Sequence, residues 1–95
     1  MHRQRREIEM ENLLKKVQKL LVAQFKGATV ELDPWDGSNL ISGILIWKGF
    51  QGMDQVARQE RLFKLYEKML TKDERKKLTL ICTFTPKEAT VLHEA

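Results

Sequence analysis

The chain has few of the residues that build cross-links, metal sites and catalytic centres. It contains one cysteine and two histidines among 95 residues, so an internal disulfide is excluded and a reducing compartment is favoured. It shows no paired catalytic carboxylates, no nucleophile–base pair, no phosphate-cradling loop and no zinc-ligand spacing. We therefore expect a protein that is not an enzyme.

Long apolar runs, repeats and low-complexity tracts are absent as well. No run approaches the ~18 apolar residues of a membrane helix. The basic residues 1–6 are not followed by the apolar stretch of a signal peptide. With no linker in the sequence, residues 1–95 correspond to one domain. These absences predict a cytoplasmic, single-domain protein without a membrane partner.

Basic residues are in modest excess. The chain has 17 Lys and Arg against 13 Asp and Glu, a net charge of +4. Such a charge is compatible with a nucleic acid or an acidic protein partner and specifies neither.

Hydrophobic periodicity and capping signals predict the helices. The first spans about residues 4–25 and ends before Gly27, and the second runs from a cap at Asp54 to about Leu70. Two capping boxes, at residues 71–74 and 85–88, open a short turn and a C-terminal helix. The predicted apolar face of the first helix is Met10, Leu13, Leu14, Val17, Leu20, Leu21 and Phe25. That of the second is Val56, Gln59, Leu62, Phe63, Tyr66 and Leu70.

Three segments have the pattern of β-strands: residues 28–33, 40–47 and 78–84. The turn-rich residues 33–39 predict a hairpin loop between the first two, and Gly43 indicates a bulge. In the third strand one strongly apolar face is predicted, with Leu78, Leu80, Cys82 and Phe84. The order α-β-β-α-α-β predicts an α+β fold with helices on one face of a three-stranded sheet. The third strand is expected to pair in parallel, after a helical crossover.

Motifs in the second half of the chain resemble those of the BolA-like proteins. That family has a Gly-x-x-Val-x-x-(His/Gln)-x-x-Val helix after a strand, a third strand, and then Thr-Pro-x-Glu. Here Gly52-Met53, Val56, Gln59 and Leu62 fit the helix motif. Phe50 fits the aromatic residue before its glycine, and Thr85-Pro86-Lys87-Glu88 fits the terminal motif.

The resemblance implies a type II KH-like fold and a non-enzymatic adaptor or regulator. Members of this family pair with a monothiol glutaredoxin and share a [2Fe–2S] cluster, and the family is associated with iron–sulfur trafficking, stress response and transcription regulation. The family ligand positions are a histidine before the third strand and, in many members, a His or Cys in the first hairpin loop. This sequence has Lys77 and Asn39 there, and neither is expected to be a ligand. No cofactor or metal of its own is therefore predicted.

The remaining candidate ligands are scattered. Cys82 is expected to be a small buried hydrophobe rather than a redox or metal site. His2 and His93 lie near opposite ends of the chain, where terminal residues are seldom ligands.

The polar and basic candidates support two interpretations each. Gln59 either contacts a partner or makes a structural hydrogen bond. Residues 49–52 match the GxxG of KH domains, but they follow a strand instead of joining two helices, so a tight turn is the preferred explanation. Trp35 in the hairpin loop either stacks on a base or partner, or packs on the sheet edge. The basic residues expected on the surface as partner or nucleic-acid contacts are Arg58, Arg61, Lys72, Arg75, Lys76 and Lys77. Because acidic residues interleave with them, a solvated surface whose charges compensate one another is the simpler explanation.

Three hypotheses follow from these residues. The first is a BolA-like adaptor that partners a monothiol glutaredoxin, and the second is a KH-like protein that binds DNA or RNA. The third is an interaction module whose fold alone assigns no function.

Overall fold

The computed structural model of the protein describes residues 5–34 and 40–94. The elements follow the order α-β-β-α-α-β, with a short helix after the last strand, and the predicted α+β class is confirmed. Among the described residues, no helix has the length and apolar character needed to cross a membrane. The elements are α1 (Arg5–Gln24), β1 (Thr29–Pro34), β2 (Ile41–Ile46), a 3₁₀ turn (Lys48–Phe50), α2 (Gln55–Met69), α3 (Lys72–Lys76), β3 (Leu78–Phe84) and α4 (Pro86–Glu94).

The three strands form one mixed sheet in the order β1-β2-β3. β1 is antiparallel to β2, with Thr29 opposite Ile46 and Pro34 opposite Ile41. β3 is parallel to β2, as a strand that follows a helical crossover is expected to be. Of the predicted hairpin loop, residues 33 and 34 belong to β1. Trp35 and Asn39 lie outside the described residues.

The predicted helix boundaries are confirmed by their caps. Gly27 follows α1 with φ +83°, a left-handed conformation that glycine adopts without steric cost. At the start of α2, Asp54 Oδ1 accepts a hydrogen bond of 2.8 Å from the Ala57 amide. Thr71 forms a complete capping box with Glu74. Thr85 and Glu88 form the second capping box. The Thr85 amide donates a hydrogen bond of 2.7 Å to Glu88 Oε1, and the Glu88 amide donates one of 3.2 Å to Thr85 Oγ1.

The hydrophobic core lies between the sheet and the helices on one of its faces. All seven residues of the predicted α1 face pack in or against this core. On α2 the prediction is partly wrong, because Val56 and Phe63 are 67% and 55% exposed. Leu62, Tyr66 and Leu70 of the predicted face are buried as expected, and Arg58 is buried with them. Val56 and Phe63 lie about a third of a turn away from that line and so flank the core rather than enter it.

Candidate protein-binding surface

A bulge in β3 decides which side chains the sheet presents to solvent. Between the Ile41–Leu78 pair and the Gly43–Ile81 pair, β2 advances two residues while β3 advances three. The predicted bulge thus lies beside Gly43, but the extra residue belongs to β3. Leu78 packs against the core, whereas Leu80 is 62% exposed. The apolar face predicted for this strand is therefore partly wrong: Leu80, Cys82 and Phe84 share one face, but the inserted residue leaves Leu78 on the other.

On the sheet surface that faces away from α1 and α2, the side chains of β2 and β3 are mostly apolar, and we call this apolar part the outer face. In register, Ile44 lies beside Cys82 and Ile46 beside Phe84. Their chain neighbours Leu45 and Ile81 are buried in the core, and side chains alternate along a strand. The outer face therefore consists of Ile44, Ile46, Leu80, Cys82 and Phe84.

Two exposures show that the described helices leave this surface open. Ile44 is 36% exposed and Leu80 is 62% exposed. Cys82 is partly exposed, so the expectation of a buried cysteine is wrong: alternation after the bulge points it away from the core. Contiguous exposed apolar side chains on a small domain are typical of an interaction surface.

The charge on the β1 side of the outer face is acidic. Glu31 pairs with Ile44 and Asp33 with Ser42 across the β1–β2 ladder, and both carboxylate residues are exposed. The strands contain no Lys, Arg or His. On the helices, exposed basic residues are frequent and include Lys15, Lys19, Lys64, Lys68, Lys72 and Lys76. They alternate with exposed acidic residues such as Glu60, Glu67 and Asp73, so the helices offer cations that the strands lack.

A cleft adjoins the outer face at the end of β3. It has a volume of about 360 Å³ and shares Phe84 with the outer face. Val91 and Leu92 of α4 line it and are exposed. Lys87 stands at the same cleft. This arrangement extends the apolar surface beyond the strands onto α4.

The free edge of β3 is closed by α2. Gln59 Nε2 donates a hydrogen bond of 2.9 Å to the Ile81 carbonyl oxygen. Gln55 Nε2 donates to the Thr83 carbonyl at 3.1 Å. These bonds support the structural interpretation of Gln59. They also occupy acceptors that an added strand would use, so this edge is protected against pairing.

Arg58 is not on the surface, and that prediction is wrong. Arg58 is only 4% exposed. The guanidinium donates to three backbone carbonyls, those of Phe50, Met53 and Thr83. It also pairs with Glu88 at 2.7 Å. A fork of five N–H donors can satisfy several carbonyls and a carboxylate at once. Arg58 therefore joins α2, β3, the 3₁₀ turn and α4 as part of the core.

Arg61 and the GxxG segment belong to an aromatic cluster. The Arg61 guanidinium is exposed and lies 4.8 Å from the centre of the Trp47 ring. Trp47 packs edge-on against Phe25 and Phe50 at 5.0 and 5.1 Å. Phe50, inside the GxxG segment, is fully buried. The segment leaves β2 through the 3₁₀ turn and does not join two helices, a geometry that fits the tight-turn interpretation.

The basic residues of the α3 region are not all equally accessible. Lys72 and Lys76 are exposed, whereas Arg75 and Lys77 are partly buried. Lys16 of α1 pairs with Glu74 at 2.9 Å and so brings α1 beside α3. A hydrogen bond from the Thr71 amide, with a second from Lys16, lowers the pKa of Glu74. Lys15, Lys19, Lys72 and Lys76 are exposed on these two neighbouring helices.

The side chains that the structure describes offer no donor set suited to an iron–sulfur cluster. Lys77, at the position that is a ligand in BolA-like proteins, is the C-cap of α3, and its carbonyl accepts a hydrogen bond of 2.7 Å from the Ile41 amide. A protonated ammonium has no lone pair for a metal, and soft clusters prefer thiolates. The described residues contain no group of three or more His, Cys, Asp or Glu that would hold a metal ion. The side chains of His2 and His93 and the whole of Asn39 lie outside the described part.

The sequence interpretation missed the outer face and the Arg58–Glu88 pair. The apolar alternation of residues 78–84 was a signal for an apolar strand face, but it did not show which face is open. The arginine among the buried positions of α2 was a weaker signal, since basic residues usually lie outside.

Comparison of this chain with models of protein families, with curated proteins and with solved structures finds no match.

Proposed function

We propose that this protein is a non-enzymatic cytoplasmic adaptor that binds another protein through its outer face. The observation that carries the proposal is the exposure of Leu80 and Ile44 on a sheet surface that the described helices leave open. Burying such side chains contributes about 25 cal/mol per Å² of apolar area. A partner that covers the outer face gains this energy without any change in the fold.

The partner that the BolA-like resemblance implies is a monothiol glutaredoxin. The test is an NMR titration of the isotope-labelled protein with such a glutaredoxin. We expect shifts at Ile44, Leu80 and Cys82, and binding at least about tenfold weaker in Leu80→Asp. Val22→Asp is the matched control, because Val22 is an exposed apolar residue of α1. Shifts confined to the helices would reject the outer face as the binding surface.

Cluster sharing with that partner is a separate question, because the donors described above do not fit a cluster. Anaerobic, iron-replete co-purification with the glutaredoxin, followed by visible absorption, decides it. We expect the spectrum of glutaredoxin alone. An additional absorption band that requires this protein would show that the pair shares a cluster through other ligands.

Nucleic-acid binding is the second candidate, favoured by the Lys16–Glu74 contact that places α1 and α3, two helices with exposed lysines, next to each other. Phosphate contacts would come from Lys15, Lys19, Lys72 and Lys76. The test is a titration of labelled DNA and RNA oligomers at several salt concentrations. Binding that weakens steeply with salt and is lost in Lys72→Glu/Lys76→Glu supports this candidate. Undetectable binding at low salt rejects it.

A further inference from the structure

The dimensions of the outer face match those of one helix. Strands of six and seven residues extend for about 20 Å, and three strands span about 10–14 Å. An α-helix is about 10 Å across, and about 13 residues of helix cover 20 Å. A single helix laid along the strands would therefore cover the apolar residues from Leu80 to Phe84.

Charge selects the kind of helix. The apolar side chains belong to β2 and β3, while Glu31 and Asp33 border them on β1. The three strands offer no cation that would neutralise these two carboxylates. A partner that brings Lys or Arg beside β1 gains electrostatic complementarity, and one that brings Asp or Glu meets repulsion.

The cleft at the end of β3 provides room for one large side chain. Phe84, Val91 and Leu92 give it an apolar lining. Its volume of about 360 Å³ is comparable to that of a small ligand pocket. A leucine or aromatic residue at one end of a docked helix would fit into it.

We propose that the outer face binds an amphipathic helix of about 13 residues with a basic flank. Its apolar residues recur at i, i+3, i+4 and i+7 and contact Ile44, Leu80 and Phe84. Its Lys or Arg residues lie along β1 and pair with Glu31 and Asp33. The inference rests on the proposed function, because it names the partner chemistry for that same surface.

A second copy of the chain is a poorer occupant. Two outer faces packed together would place Glu31 and Asp33 against strands that carry no basic residue. The sheet surface also measures only about 300 Å² by the strand spacings above, well short of the ~800 Å² per partner of a stable interface. So small a contact is typical of a transient complex with a peptide segment.

Two designed peptides test the inference. Both carry leucine at i, i+3, i+4 and i+7 over 15 residues; one has Lys on a flank, and the other has Glu at the same positions. Fluorescence anisotropy gives the affinities, and NMR shifts of the labelled protein locate the contact. We expect the basic-flank peptide to bind at least about tenfold more tightly and to shift Ile44, Leu80 and Phe84.

Charge reversal separates this account from nonspecific apolar binding. Glu31→Lys/Asp33→Lys changes exposed residues, and it is expected to reverse the preference between the peptides. Leu80→Asp is expected to weaken both by about tenfold or more. Equal binding of the two peptides, a preference that survives the reversal, or shifts confined to the helices would overturn the inference.

Two further measurements separate the inference from the function on which it rests. If neither peptide binds but the glutaredoxin still shifts Ile44 and Leu80, the inference fails and the adaptor proposal stands. If neither peptide nor glutaredoxin affects the outer face, both fail. Sedimentation that shows a dimer disrupted by Leu80→Asp would overturn the inference in favour of a second copy.

Discussion

The guanidinium of Arg58 lies 2.7 Å from the carboxylate of Glu88 and joins α2 to α4. The same carboxylate completes the capping box, because it accepts a hydrogen bond of 2.7 Å from the Thr85 amide. Glu74 repeats this arrangement, since it caps α3 and pairs with Lys16 of α1 at 2.9 Å. Each capping-box glutamate therefore attaches a short helix to a long one. Through Arg58 this attachment reaches the core beneath the outer face.

Replacing Arg58 by alanine should destabilise the fold strongly. The change leaves the carbonyls of Phe50, Met53 and Thr83 without these donors. We expect a loss of about 2–4 kcal/mol in the free energy of unfolding, measured by urea denaturation. Arg61→Ala is the control, because its exposed cation–π contacts contribute about 0.5–1 kcal/mol. Equal effects of the two substitutions would contradict the buried role of Arg58.

The Arg58–Glu88 pair should make stability depend on pH in the acid range. Arg58, with the Thr85 amide, lowers the pKa of Glu88 from 4.5 to about 2. A carboxyl group whose pKa is lower in the folded state than in the unfolded state stabilises the fold when it is ionised. This stabilisation is complete at pH values above the unfolded pKa of 4.5, and it is lost as pH falls towards 2. We therefore expect Glu88→Gln to be less stable than the parent protein at pH 6, with a difference that shrinks between pH 5 and 2. A difference in unfolding free energy that is constant over this range would contradict the assignment.

The hydrogen bond that Gln59 donates should contribute to stability, although the two residues that follow Gln59 in α2 are exposed. Gln59→Ala removes the donor to the Ile81 carbonyl, and we expect a loss of about 1 kcal/mol. The neighbouring exposed Glu60→Ala should change stability by less than about 0.5 kcal/mol. Urea denaturation of the two variants measures both. If Gln59→Ala changed the unfolding free energy as little as Glu60→Ala, the hydrogen bond at the β3 edge would not contribute to stability.

Gly49 should be intolerant of a side chain because of Trp47. A Cβ at position 49 would collide with the Trp47 indole ring, whose Nε1 donates to the Lys26 carbonyl at 3.1 Å. We expect Gly49→Ala to cost about 1–3 kcal/mol in unfolding free energy. In a Trp47→Leu background the same change should cost clearly less, as a double-mutant cycle would show. Equal costs in both backgrounds would place the strain elsewhere.

The architecture was predictable because each element carries a local signal. Gly27, Asp54 and the two capping boxes mark helix ends through interactions within a few residues. The seven-residue apolar face of α1 follows from helical periodicity. These signals agree with one another, and such consistency specifies a fold.

The candidate site could not be predicted, because it depends on nonlocal geometry. One extra residue in β3, visible only in its pairing with β2, turns Leu80 away from the core. Arg58 looked like a surface cation because Glu88, its partner, lies 30 residues further along the chain. The resemblance to BolA-like proteins predicted partners through motifs that here serve caps and turns. It gave no information about the outer face.

The most direct test of an open, partner-binding outer face is the reactivity of Cys82 towards a small maleimide. Cys82 is the only cysteine of the chain, so the rate reports on one place. We predict rapid modification of the folded protein, slowed about tenfold by the basic-flank peptide at about ten times its Kd. A thiol that reacts only as fast as the protein unfolds would contradict an open outer face. A rate unchanged by the peptide would contradict binding there.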